Sequence, residues 1–399
     1  MSFQFGLEVL LQDKKLINEL KKQRVSLICH PASVDQKLNH SIDLIHKKIK
    51  LSLAFGPQHG VKGEKQDNMI ESADELHAEY KIPIFSLYGT HRRPTAEMMN
   101  TFDVALFDLQ DLGCRIYTFV TTLLYMMEAC AKHNKTLIVL DRPNPIGREI
   151  EGFRLLVGQE SFVGAGPFPM RHGLTMGELA HYYKEHFKLK LDLRVIKMKN
   201  YKPANKPNFG WPEKLTWINP SPNAQNLNMA RVYPGSVMLE GTTLSEGRGT
   251  TRALEIVGAP DIEIKKILKR MQLLSKSCFK GALVRECYFE PTFHKHQGKT
   301  CQGLHLHTDH VSYQHKLFKP YRFFAILFKA IRLEYPAYSL YRDFHYEYVK
   351  DRLAFDVING GPELRNWIED DKSTVAMLDK KLSADEKSWA RECKKYYLY

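Results

Sequence analysis

The chain is expected to be α/β: a doubly wound, mostly parallel sheet with helices on both faces, followed by a smaller α+β region. Three features of the sequence lead there. Short continuous apolar runs recur through the first half, as in strands buried on both sides. Amphipathic segments with three- and four-residue apolar spacing lie between them. The pattern changes near residue 230, where Gly- and Thr-rich turns give way to strands and amphipathic helices.

In chain order, residues 25–29, 51–55, 84–87, 104–107 and 136–140 are the expected buried strands. A helix is expected over 116–133. A second runs from Thr175, a cap with Glu178 three residues on, to Phe187. Residues 193–198 make one more strand. Strands alternating with helices imply parallel pairing, because each crossover must carry the chain back across a face. Residues 200–228 hold five prolines and two tryptophans and are loop-rich. Beyond them, 304–307 alternates like a strand, and 322–333 and 374–395 look helical. The expected division is 1–230 and 231–399, two regions each long enough for a core at about 100–200 residues per domain. No internal repeat is visible.

Composition narrows the function. Hydrophobic residues make up 43% and charged residues 26%, values of a globular protein, and no run approaches the roughly 18 apolar residues of a membrane span. The net charge of +13 raises nucleic acid as a partner. Its lysines, however, fall in short clusters (Lys47, Lys48 and Lys50; Lys188 and Lys190; Lys265 and Lys266) that suit solvated faces, and no nucleic-acid module accompanies them. Nucleic acid is therefore not the expected partner; such binding would fall steeply with salt. Seven cysteines at irregular spacings form no CxxC, which argues against a zinc site or a dithiol motif and for reduced thiols in a cytoplasmic protein. The N-terminal Met1-Ser-Phe-Gln-Phe-Gly6 lacks the layout of a secretion signal.

Ligands of an open parallel sheet bind outside the carboxyl ends of its strands. Here each expected strand is followed by a polar turn: His30-Pro-Ala-Ser33, Gly56-Pro-Gln-His-Gly60, Tyr88-Gly-Thr-His-Arg92, Asp108-Leu-Gln-Asp-Leu-Gly113 with Arg115, and Asp141-Arg-Pro-Asn-Pro145. One Asp alone is more often a turn or cap residue. Five such turns meeting on one edge make a polar pocket. The segment Glu240 to Arg252 adds two Glu, two Arg and several glycines, suited to lining a cleft around an anionic ligand.

Familiar cofactor motifs are missing. Gly164-Ala-Gly166 runs into Pro167-Phe-Pro169 and cannot open a dinucleotide-binding helix, and no P-loop, GxSxG or HExxH occurs. His305, His307 and His310 are a weak metal pattern. No cofactor and no metal are expected. What remains, a pocket of carboxylates, amides, arginines, Tyr and His, suits sugar chemistry. There, hydroxyls need hydrogen bonds and the glycosidic oxygen needs a carboxylic acid.

On these residues the chain resembles the exo-β-N-acetylmuramidases of bacterial peptidoglycan turnover. The matching motifs run in order along nearly the whole chain. They are Gly56 to Gly60, Ser86 to Gly89, Phe107 to Gly113 with Arg115 and Tyr117-Thr118, and Leu140 to Pro145. Arg171-His-Gly173, Pro220 to Asn223, Tyr233-Pro-Gly235, Glu240 to Arg252 and the terminal Tyr396 to Tyr399 follow. The resemblance implies a Rossmann-like N-terminal domain, a smaller auxiliary domain and an active site between them. It further implies removal of terminal N-acetylmuramic acid from non-reducing ends of glycan fragments, in cytoplasmic cell-wall recycling.

One position departs. The family usually has Glu, the proposed catalytic acid, between Pro and His of the first motif; here it is Gln58, which cannot transfer a proton as a carboxylic acid does. The expected acid is Glu64 or Glu71, with Asp67 nearby, oriented by His59. Asp111 or Glu246 would assist water or the acetamido group. Arg115, Arg142 or Arg248 would bind the lactyl carboxylate. Gln58, Asp108, Tyr117, Asp141, Asn144, His172, Asn223 and Arg252 complete the expected substrate contacts. A non-catalytic amino-sugar-binding protein on the same scaffold is the alternative, motivated by Gln58. The oligomeric state stays open.

Overall fold

The computed structural model describes residues 2–66 and 69–399. Two short helices, α1 (Gly6–Gln12) and α2 (Lys14–Leu20), precede the first strand. Strands β1 (Val25–Ile28), β2 (Leu51–Gly56), β3 (Glu75–Leu76), β4 (Pro83–Ser86), β5 (Val104–Phe107) and β6 (Thr136–Leu140) follow. Between them lie α3 (Ser41–Lys48), α4 (Ala96–Met99) and α5 (Phe119–Lys132). The two-stranded antiparallel pair β7 (Glu151–Arg154) and β8 (Pro169–Arg171), then α6 (Met176–His186) and β9 (Leu193–Ile196), complete the first half.

The main sheet has the order β3-β4-β2-β1-β5-β6-β9, parallel except for the β3–β4 edge. Alternation explains why it is buried on both sides. Val25, Leu27 and Cys29 join one apolar cluster with Leu7 and Leu10 of α1 and Ile42 and Ile45 of α3. Ile28, Phe107, Leu137 and Val139 join the other, with α5 and α6. The order reverses at β1, which lies between β2 and β5, so the turns after β2 and β5 flank the topological switch point.

The expected strands and the capping box of α6 are present, the Thr175 hydroxyl accepting from the Glu178 amide. α5 starts at Phe119 rather than 116. Residues 114–118 form a turn, in which Cys114 bridges to Arg171.

The second half begins with α7 (Leu227–Ser236), and residue 230, the expected division, falls inside it. A three-stranded antiparallel sheet, β10 (Ile256–Ala259), β11 (Leu283–Phe289) and β12 (Cys301–His307), carries α8 (Ile264–Leu274) and α9 (Pro320–Glu334). α10 (Ala354–Asn359), α11 (Glu363–Glu369) and α12 (Val375–Cys393) close the chain. Gly235 lets α7 and α9 touch, since a Cβ there would sit 2.2 Å from the Pro320 carbonyl oxygen. α12 returns to the first half, where the Trp389 indole donates to the His172 carbonyl at 2.8 Å. One apolar cluster therefore runs through both halves.

Asp141 ties the C-terminus to this core. Its Oδ1 accepts from the Gly177 and Arg142 amides at 2.8 and 3.0 Å, and its Oδ2 from the Thr175 and Tyr399 hydroxyls, both at 2.8 Å. Burial, followed by the charge of Glu178, pushes the Asp141 carboxyl up to about 7. A carboxyl raised in the fold stabilises it fully below the unfolded value near 3.8, and that contribution is lost as pH rises through about 7. In Asp141→Asn the amide can donate to either hydroxyl, which can turn to accept. The variant is expected to gain stability relative to wild type between pH 4 and 8, by on the order of 1–3 kcal/mol, read from paired thermal melts. An unchanged difference across that range would contradict the assignment.

Candidate active site

At the carboxyl ends of β2 and β5 the chain forms a cavity partly open to solvent. The turn after β2 supplies Gln58 and His59, and the turn after β5 supplies Leu112, Tyr117 and Thr118. Ser221 and Asn223 come from the long loop, and Met229 and Tyr233 from α7. The opposite wall carries Glu240, Arg248, Tyr346 and Glu347.

Two carboxyl groups face this space in different surroundings. Glu347 accepts from the Tyr88 hydroxyl, which lies 2.9 Å from both of its oxygens, and from Gln58 Nε2 at 3.3 Å. The Thr118 hydroxyl donates to Gln58 Oε1 at 2.8 Å, which fixes the amide so that its NH2 points at Glu347. Burial, reinforced by the charge of Glu240, pushes the Glu347 carboxyl up to about 7, against the opposing pull of Tyr88, Arg92 and Gln58. Such a group carries a proton in part of its population at neutral pH, as a general acid requires.

Glu240 is instead charge-paired. Arg248 Nη2 donates to its Oε1 at 2.7 Å and the Tyr346 hydroxyl to its Oε2 at 2.5 Å. Behind it, Arg248 Nε donates to Glu246 at 3.0 Å, and Lys295 Nζ lies 2.6 Å from the other Glu246 oxygen. Burial opposes the Glu246 charge, but Lys295, Arg248 and His294 outweigh it and hold the carboxyl down to about 2. Glu246 is thus a fixed anion that positions Arg248.

Both Glu347 and Tyr348 have left-handed backbones, φ +46° and +68°, which side-chain-bearing residues adopt at a cost of about 1 kcal/mol or more each. Contacts hold them there. The Arg92 guanidinium lies 3.6 Å above the Tyr348 ring, and the Tyr348 hydroxyl donates to Glu71 at 2.8 Å.

Of the sequence-predicted residues, Gln58, His59, Tyr117, Asn223 and Arg248 line the cavity. Glu64 and Glu71, the expected acids, do not. Glu64 is exposed, 3.6 Å from Lys65 on the wall of a neighbouring depression, and exposed Glu71 serves as the acceptor for Tyr348. Both side chains are about half exposed, outside the cavity lining. Asp67 lies outside the described residues. Asp111 is buried beneath the cavity, accepting from the Gly113 amide at 2.7 Å with His172 Nε2 3.3 Å away.

The remaining expected contacts build the scaffold. Arg115 donates to the carbonyls of Phe153, Phe168 and Ile358. Arg142 is paired with Asp108 at 2.6 Å, and Asn144 donates to the Leu174 carbonyl. Arg252 is half-exposed, 3.2 Å from Glu255. Each of these side chains has partners within the chain itself.

Tyr88 falls in one of the polar turns read from the sequence but carries no assigned role there, and Glu347 is not singled out by the sequence. Glu347 sits in a segment, Phe344 to Val349, with no motif around it. An acid between two tyrosines, in a stretch that is neither helix nor strand, was the available signal.

Residues 25–228 match the family described as exo-β-N-acetylmuramidase NamZ, N-terminal, and residues 231–399 match its C-terminal counterpart. The chain belongs to this family. Peptidoglycan β-N-acetylmuramidase NamZ of Bacillus subtilis strain 168 is 37% identical over 401 residues, spanning 99% of this chain and 91% of that protein. Two solved DUF1343-family structures from Bacteroides fragilis NCTC 9343 share the architecture. One has a TM-score of 0.84 at 30% identity, the other 0.72 at 25%; each match covers 100% of this chain and 99% of the other. In this member of the family, the amide of Gln58 is bonded to Glu347, a cavity carboxyl that burial raises toward neutrality.

Proposed function

We propose that this chain is a glycoside hydrolase that releases terminal β-linked N-acetylmuramic acid from the non-reducing ends of peptidoglycan fragments, with Glu347 as the proton donor to the glycosidic oxygen. The observation that carries the reading is Glu347 itself, a buried cavity carboxyl raised to about 7 in a chain of this family. The Glu240 carboxylate, held by Arg248 and Tyr346, stabilises the positive charge that develops at the anomeric carbon or orients the acetamido group. His59, Tyr117 and Asn223 offer hydrogen bonds to sugar hydroxyls. Arg248 is the one of the three expected arginines that lines the cavity, and is assigned to the lactyl carboxylate.

On this reading, 1–230 and 231–399 are two walls of one cleft, the first supplying Gln58 and Tyr88 and the second Glu240, Arg248 and Glu347. All seven cysteines are free and six are buried, which suits a reducing compartment and a place in cytoplasmic cell-wall recycling.

Purified protein is expected to release chromophore from a chromogenic β-N-acetylmuramide and N-acetylmuramic acid from a muramyl disaccharide. Release from neither substrate would overturn the hydrolase reading. Calorimetric binding of N-acetylmuramic acid without turnover would favour a sugar-binding protein instead.

A further inference from the structure

Helix α7 has two working faces. Met229 and Tyr233 line the catalytic cavity, while Asn228 and Arg231 line a second groove, partly open to solvent, with Lys206, Phe209, His310 and Tyr313. Nothing in the proposed reaction uses this groove.

Its floor holds two buried guanidinium groups, while the carboxylate on its lining, Asp309, is half-exposed and lies 3.5 Å from His307 Nδ1. Arg231 is 6% exposed and donates only to backbone carbonyls, of Thr308 at 3.0 Å and Asn208 at 3.3 Å; its Nε has no partner. Arg171 lies close enough to act on it electrostatically, is 2% exposed, and donates to the Ile146 carbonyl and to His315 Nε2 at 2.9 Å; its Nε also has no partner. Among the described residues neither guanidinium has an acidic side chain within 4 Å. Asp309 acts on Arg231 only from beyond ion-pair distance, and two buried like charges so weakly offset are costly unless a ligand adds a closer counter-charge. Arg115 is also held by carbonyls alone, but it is fully buried and donates to three of them.

The histidine between them fixes a further donor. Burial, with Arg171 and Arg231, holds the His315 ring neutral down to about 2. Its Nε2 must accept from Arg171, so its proton is on Nδ1, and Nδ1–H donates to the Tyr313 oxygen at 2.8 Å. The hydroxyl proton of Tyr313 is then left for another acceptor. Phe209 stacks flat on His315, with centroids 4.4 Å apart and planes 3° off parallel, giving the groove a rigid aromatic wall.

We propose that this groove is a second binding site, separate from the catalytic cavity, for an oxyanion carried on a ligand with a flat or apolar part: the anion sits against Arg231 and the Tyr313 hydroxyl, and the apolar part lies along Phe209. The oxyanion is a peptide carboxylate or a phosphate ester. The site does not depend on the glycosidase reading.

Titration calorimetry of the full chain at low salt, with N-acetylphenylalanine and with phenyl phosphate as probes, tests it. At least one probe is expected to bind with millimolar affinity or better, and Arg231→Gln to weaken it about 10-fold, the worth of a charged hydrogen-bonding partner. The tighter probe identifies the source, carboxylate or phosphate. Arg231→Gln removes ties to two loops and could unfold them, so Tyr313→Phe is measured as well, with an expected loss of about 3–10-fold. Saturating N-acetylmuramic acid should leave probe binding unchanged. The proposal is overturned if neither probe binds at 10 mM, if folded variants bind as wild type does, or if N-acetylmuramic acid displaces the probe.

Discussion

Glu347→Gln is expected to lower kcat on a β-linked muramyl disaccharide by about 10²–10⁴-fold, the usual contribution of a general acid. The substitution is nearly isosteric and keeps an acceptor for Tyr88, so KM should move little. Two further signatures separate lost proton transfer from a disturbed pocket. Glu347 must be protonated to act, so wild-type activity should decline as pH rises through about 7, and the variant's residual activity should lack that limb. A nitrophenyl leaving group departs with little help, so the loss on a nitrophenyl muramide should be much smaller than on the disaccharide. A variant that keeps wild-type kcat and the same alkaline limb would remove Glu347 from the role.

The sheet was legible because strand burial leaves a direct imprint: 104–107 and 137–140 are apolar whichever way their side chains point, since both faces are covered. The polar turns were legible too, and those after β2 and β5 line the cavity. Their individual roles were not. Asp108, Arg142 and Asn144 satisfy one another or the backbone, and a residue type at a strand end does not reveal whether its partner is the chain or a ligand. The acid was illegible for a related reason. Glu64 and Glu71 are near Gln58 in sequence but stay in solvent, whereas Glu347 is 289 positions away and is brought to Gln58 by tertiary folding alone. What raises its pKa is desolvation, which no local pattern records.

The contact between Gln58 and Glu347 gives position 58 a testable meaning. In Glu347→Gln/Gln58→Glu the two side chains exchange ends: the amide at 347 keeps its bond to Tyr88, and the carboxyl at 58 keeps the Thr118 hydroxyl as donor. The carboxyl then stands at position 58, on the opposite side of the same 3.3 Å contact. The double variant is expected to recover about 10-fold or more of the activity lost in Glu347→Gln, a coupling well beyond additivity for a pair in contact. Gln58→Glu alone should behave differently. Two carboxyls at that distance cannot both ionise easily, so they share a proton, and the pair's upper apparent pKa rises above 7. Its alkaline limb should therefore move to higher pH without loss of kcat on the acid side. A folded double variant no more active than Glu347→Gln would mean that position 58 cannot deliver a proton to the glycosidic oxygen in this chain. The exchange of roles between the two positions would then be refuted.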